Sequence, residues 1–351
     1  MSEKYPTSSV SVEFVDTTIM NIPSLFPDLS EDIILTIARA IPFLGISALQ
    51  FDNDNLGHNK DLITAISAAY EFDYDQVLNN PGNEVSECPR LSVVSSLDPE
   101  DINKGIETLK HYGRPLIEIA IPCSARSMKE MLATKHLKNY SNIIQDSLNK
   151  ANELTMESDD FLLGCSLVDP MTRTNKPEFV DTVIDMALEM FSLDLINFND
   201  LMGDLDPFDT YEFFMNVFKR VYESSNTGIV VSAEFNNDGG LALANSLYFI
   251  KSAIDFARNN KTHIHTRVKT NISNLGGRLS GCDIFSLDLA LRNHSLADLS
   301  SSQQLTIPDV STKGASRAIE IFRILNIDVP IMAPVIGYNI LSRELNKRVI
   351  N

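Results

Sequence analysis

The chain repeats one unit eight times: a short β-branched, apolar run, then a segment whose apolar residues fall three and four apart. The strand-like runs are Val12–Asp16, Ile46–Phe51, Leu91–Ser95, Leu116–Pro122, Phe161–Val168, Leu195–Asn199, Ile229–Glu234 and His263–Ile272. Helical spacing fills the intervals, roughly at 60–72, 99–112, 127–157, 176–191, 207–225, 240–259 and 284–294. Before the second strand, SEDIILTIARAI predicts a helix with Ser30 as N-cap, Glu31 and Asp32 in its first turn, and Ile33, Ile34 and Ile37 facing inward. Parallel strands need helical crossovers, and eight of them close a sheet on itself, so the pattern predicts an α/β (β/α)8 TIM barrel. A doubly wound open sheet is the alternative, but no glycine-rich turn follows the first strand.

Such a barrel commonly takes about 250 residues, and this chain has 351. The division that results is a barrel over 1–295 and a C-terminal extension over 296–351. In the extension, a serine-rich linker (SLADLSSSQQLTIPDVSTKGAS) leads to one helix (ASRAIEIFRILNI) and a proline-marked end. It is too small to fold alone and is expected to pack on the barrel or on a second subunit.

Twenty-nine basic against 47 acidic residues give a net charge of −18, which repels phosphate backbones and anionic lipid heads. Nucleic acid and membrane partners are therefore not expected. No apolar run approaches 18 residues and the N-terminus is polar, so a cytoplasmic location is expected. Cys88, Cys123, Cys165 and Cys282 lie far apart without paired spacing, which reads as reduced, buried thiols.

Chemistry in a (β/α)8 barrel sits at the C-terminal strand ends. There the first strand ends VEFVDTTIMNIPS, and DPMTRT comes after the fifth. NDLMGDLDP follows the sixth, SAEFNNDGGLALANSL the seventh and NISNLGGRLSG the eighth, with PVIGYN in the tail. In that order these motifs resemble the family of isopropylmalate synthase, homocitrate synthase and hydroxymethylglutaryl-CoA lyase, over about Val12 to Asn339. The resemblance implies a homodimeric barrel of the pyruvate carboxyltransferase type. It also implies carbon–carbon bond making or breaking between a 2-oxo acid and acetyl-CoA, on a divalent metal that polarises the oxo group.

The departures fall on the positions that the resemblance marks as functional. Met20 stands at the arginine that would steady an enolate, Asn21 at a metal-binding aspartate, and Gln50 at a supporting glutamate. Glu234 and Asn236 replace a His-x-His pair, Gly281 an asparagine ligand, Ser127 a histidine after the fourth strand, and Arg343 or a neighbour one in the tail. One carboxylate and two amides suit a hard ion such as magnesium better than zinc, so a weakly held divalent cation is the alternative to no cofactor. Met20 offers no donor to developing negative charge, and one lost donor of that kind often costs about 10²–10³ in rate.

The expectation is a barrel that has lost the metal-dependent reaction. It would act as a small-organic-acid-binding or regulatory subunit, as a homodimer or paired with an active relative. The alternative is an acyltransferase, lyase or aldolase working without metal through a residual pocket of Asp16, Thr17, Asp169, Arg173, Asp200, Glu234 and Asn236. That alternative requires a desolvated Glu234 beside a cation such as Arg173. His263 and His265 share a strand face but open the eighth strand, at the barrel's opposite end, and are read as hydrogen-bonded rather than ligating.

Overall fold

The computed structural model describes residues 8–26, 28–52, 63–66, 68, 89–110, 112, 115–132, 140–156, 161–172, 175, 177–189, 193–203, 205–224, 228–273, 275, 281–293, 303–308, 310, 312–330, 333 and 336. Eight parallel strands form a closed barrel: β1 (Ser8–Asp16), β2 (Ile46–Asp52), β3 (Arg90–Ser95), β4 (Pro115–Pro122), β5 (Leu162–Val168), β6 (Leu195–Asp200), β7 (Val230–Phe235) and β8 (His263–Asn271). Each pairs with the next, and β8 closes on β1 through a register running from Ser9 opposite His263 to Asp16 opposite Thr270.

Helices α1 (Thr18–Leu25), α2 (Glu31–Ala40), α3 (Pro99–Leu109), α4 (Ala125–Met131), α5 (Tyr140–Thr155), α6 (Pro177–Leu188), α7 (Pro207–Glu223), α8 (Ala242–Asn260), α9 (Ile284–Asn293) and α10 (Thr312–Ile324) complete the described elements, with a 3-10 turn at Ile41–Leu44. Their starts follow local chemistry. Asp98 accepts from the Glu100 amide at 2.8 Å and Asp206 from the Phe208 amide at 2.8 Å, each followed by proline in the first helical turn. Ser30 is the N-cap residue of α2 in an extended conformation but makes no side-chain capping bond; its carbonyl takes the Ile33 and Ile34 amides instead.

The helical spacing over 127–157 resolves into two helices. The first, α4, opens with a Ser124/Ser127 capping box and ends at Met131.

Strand alternation makes two cores. Val93, Ile117, Ile119 and Ile121 face outward into the apolar layer between strands and helices, where Phe198 of β6 and Phe235 of β7 pack edge to face on Phe214 of α7, itself tilted against Phe249 of α8. The inward set is polar to an unusual degree: Gln50, Ser92, Glu118, Ser166, Asn197, Ser232, Glu234, Arg267 and Lys269 are all buried. β1 starts four residues before the apolar run, because Ser8–Ser11 pair with a further strand, β10 (Gln303–Thr306), inside the serine-rich stretch. β2 takes the same side of β1 only from Phe14 onward, so β10 covers an edge that would otherwise be open. The two-residue strand β9 (Cys282–Asp283) extends β8, and α10 buries Ala318, Ile321 and Phe322 in the same hydrophobic core. The extension thus packs on the barrel.

Candidate functional site

The cavity at the C-terminal strand ends, about 520 Å³, lies where the loops of a (β/α)8 barrel converge. Thr17, Met20, Gln50, Asn199, Glu234 and Lys269 are among the side chains that line it. Its floor is an ionic network drawn from three strands. Lys269 of β8 places Nζ 2.8 Å from Oε2 of Glu118 on β4 and 3.6 Å from Oε2 of Glu234 on β7. Lys269 and Glu118 are each only 1% exposed, so the pair is removed from water. Ser92 Oγ donates to Glu118 Oε1 at 3.4 Å, and Asn199 Nδ2 to Glu234 Oε2 at 3.0 Å. Room for Glu118 comes from Gly164 on the neighbouring strand, where a Cβ would stand 3.2 Å from Glu118 Cγ.

Burial raises the pKa of the Glu234 carboxyl; the ammonium of Lys269 pulls the other way, and the charge of Glu118 adds to the rise. Gln50 Nε2 lies 3.7 Å from the sulfur of Met20, while its Oε1 is buried without a partner.

Several other residues singled out from the sequence brace strand ends. Asp169, at φ 54°, accepts from the Leu201 amide at 3.0 Å and Ser124 Oγ at 3.3 Å, tying the ends of β4, β5 and β6 together. Asp200 accepts from the Gly203 amide at 3.0 Å, and Asn236 Nδ2 donates to the Leu201 carbonyl at 2.9 Å. Asp16 accepts from the Ile19 amide at 3.3 Å, and burial pushes its carboxyl up to about 6. Thr17 Oγ1 donates to the Thr270 carbonyl at 3.1 Å. Ser127 is spent on the α4 capping box.

At the opposite end of the barrel, His263 shares a hydrogen bond with Ser9 at 2.8 Å and His265 contacts Glu13 at 2.8 Å. Cys123, Cys165 and Cys282 are buried and unpaired, and burial pushes all three thiols up. Arg173, Arg343 and Cys88 lie outside the described residues, as does the side chain of Asn21.

No family model matches the chain. Over 269 residues it is 22% identical to a 2-isopropylmalate synthase of Pyrococcus abyssi, covering 74% of this chain and 48% of that one. Over 247 residues it is 26% identical to one of Saccharolobus solfataricus, covering 70% and 55%. The chain therefore spans about half the length of these curated relatives. An HMG-CoA lyase from A. baumannii, solved with coenzyme A and 3-methylmalate, superposes with a TM-score of 0.60 at 13% identity over 94% of this chain and 95% of that one. The chain is thus a (β/α)8 barrel similar in sequence to 2-isopropylmalate synthases and in fold to an HMG-CoA lyase. The carboxyl transferase domain of Rhizobium etli pyruvate carboxylase, solved with pyruvate, shares the fold at a TM-score of 0.58 and 14% identity, over 93% of this chain and 48% of that one.

At the positions where the resemblance implies metal ligands, the described side chains fit a divalent cation poorly. Glu234 already shares its carboxylate with an ammonium and an amide N–H. Asn236 is turned toward a backbone carbonyl, and Gly281 has no side chain, its carbonyl accepting from Asn271 Nδ2 at 2.7 Å. Among the described residues, no three His, Cys, Asp or Glu side chains converge on one point. A cation drawn to Glu234 would meet Lys269, and like unit charges about 4 Å apart repel by roughly 4 kcal/mol even at an effective dielectric of 20.

Lys269 and Glu118 were not singled out in the sequence. Their signal is charge at the inward phase of a buried strand, Glu118 alone in LIEIAIP and Lys269 together with Arg267 in TRVKTN.

Proposed function

We propose that the barrel binds a small molecule at its C-terminal mouth without running the metal-dependent carbon–carbon chemistry that its resemblance implies, and that it serves as a binding or regulatory subunit. One observation carries this: the ammonium of Lys269 stands against Glu234, at a position where the resemblance puts a metal ligand, and supplies positive charge there from within the protein. Met20 lines the same cavity without a donor for developing negative charge. Self-association, or pairing with an active relative through the surface that the family uses to dimerise, fits that role. Three buried free cysteines suit a reducing compartment such as the cytoplasm.

A second reading has its own support. Glu234 is desolvated, its pKa is raised, and it lies beside a cation, although that cation is Lys269 and not Arg173. A carboxyl in that setting is a candidate for proton transfer to or from a bound molecule.

Purified protein, assayed for condensation of acetyl-CoA with a panel of 2-oxo acids with and without magnesium or manganese, separates the two. No turnover is expected. Metal-dependent turnover overturns the proposal, and metal-independent turnover abolished in Glu234→Gln replaces it with the second reading.

A further inference from the structure

The hydrogen-bonding groups of the cavity are unbalanced, and the imbalance identifies what it can hold. Several of its donors are committed to the protein, while Gln50 Nε2 reaches only the Met20 sulfur at 3.7 Å. Thr17 Oγ1 donates to the Thr270 carbonyl, Asn199 Nδ2 to Glu234, Asn236 Nδ2 to the Leu201 carbonyl and Ser96 Oγ to Asp101 at 2.6 Å. Lys269, the only cation among the described lining residues, faces Glu118 and Glu234 together.

The acceptors are in surplus. Gln50 Oε1 and Asn199 Oδ1 are buried without any partner, and Gln50 as a whole is 3% exposed. Three carboxylates line the space, Asp101, Glu130 and Glu234, with Arg126 pairing Glu130 at 2.9 Å on the outside.

A carboxylate entering here would meet like charge and uncommitted oxygens, leaving both itself and the buried amides unsatisfied. A group that brings N–H bonds and positive charge satisfies both. Resting on the reading of the mouth as a metal-free binding site, we infer that the ligand is a small organic amine or amidine that donates to Gln50, Asn199 and Glu234, and not a carboxylic acid. Such a ligand carries the opposite charge to the small acid expected from the sequence.

The test is a four-carbon series that differs only in its ends: 1,4-diaminobutane, 1,4-butanediol and succinate, each titrated calorimetrically into the full chain at fixed ionic strength. The diamine is expected to bind at least roughly tenfold more tightly than the diol, with no succinate binding. Gln50→Leu and Glu234→Gln should each weaken the diamine about tenfold, while Asp181→Asn, on the outer surface of α6, should leave it unchanged. Circular dichroism and a cooperative melt establish that each variant is folded. Succinate binding, no binding by any of the three, or diamine binding indifferent to both cavity variants would overturn the inference. Inactive, metal-free protein that takes succinate sinks this inference alone. Metal-dependent condensation sinks the reading beneath it, whatever the diamine does.

Discussion

Lys269 and Glu118 meet at 2.8 Å in the barrel interior, 151 positions apart in the chain and each 1% exposed. Removing one partner from a buried ion pair strands the other without compensation and typically costs about 3–5 kcal/mol, while replacing both by apolar groups is often neutral. Lys269→Met is therefore expected to lower unfolding free energy by about that amount in urea titration, with the Lys269→Met, Glu118→Leu double variant recovering most of it. A stability in Lys269→Met equal to that of the parent would show that the pair is not held as described.

Asp16 gives a pH dependence of defined sign. Its folded pKa, raised to about 6 from an ordinary 3.8, means that the folded state binds more protons between those values, so stability falls as pH rises through that window. A shift of that size in a fully buried carboxyl corresponds to about 3 kcal/mol. Asp16→Asn should be more stable than the parent at pH 8 and lose that advantage by pH 4, measured as unfolding free energy at both values. An advantage that grows on acidification would contradict the assignment.

The opposite sign applies to Glu13. Burial pushes its carboxyl up, but the hydrogen bond with His265 and the charge of Arg267 outweigh that and hold it well below the carboxylate range. Its contribution is present above the ordinary value of 4.5 and is lost as pH falls through the depressed one. Arg267 takes Glu13 Oε2 through Nε at 3.0 Å and a terminal nitrogen at 2.7 Å, so Glu13→Gln should cost a few kcal/mol at pH 7, on the order of other broken buried pairs. Chemical denaturation at pH 7 and pH 3 should show the difference between parent and variant shrinking in acid.

The loops after β6 and β7 touch backbone to backbone, which explains the glycines in both. Gly203 has φ +60°, and a Cβ there would stand 2.7 Å from the Asn236 carbonyl oxygen; the Gly239 amide donates to the Gly203 carbonyl at 3.2 Å. Gly203→Ala should destabilise by about 1–3 kcal/mol and weaken ligand binding, because Asn236 is displaced from the cavity wall. Calorimetric melting together with the diamine titration checks both effects.

Legibility in the sequence followed what each residue has to satisfy. Apolar alternation in LIEIAIP or FLLGCSLV serves a buried wall, so strand positions could be read nearly to the residue. The serine-rich start of β1 carries little apolar signal, and QQLT of β10 owes its place to pairing with Ser8–Ser11 and not to an apolar pattern of its own. At the site, the altered positions Met20, Gln50 and Glu234 could be found because the resemblance fixed where to look, and all three line the cavity. Lys269 could not, since its partners lie on β4 and β7 and only closure of the barrel brings them together. Asp169 and Asp200 show the converse: polar side chains at strand tops, read as pocket candidates, hold the Leu201 and Gly203 amides.

The most direct measurement is elemental analysis of the chain purified without chelator and dialysed against manganese, with Glu234→Ala and Lys269→Met alongside. The parent should retain no stoichiometric metal, and Lys269→Met should be the variant that gains affinity, since it removes the ammonium competing for Glu234. A full equivalent of metal on the parent, lost in Glu234→Ala, would contradict an internal cation standing in for the metal.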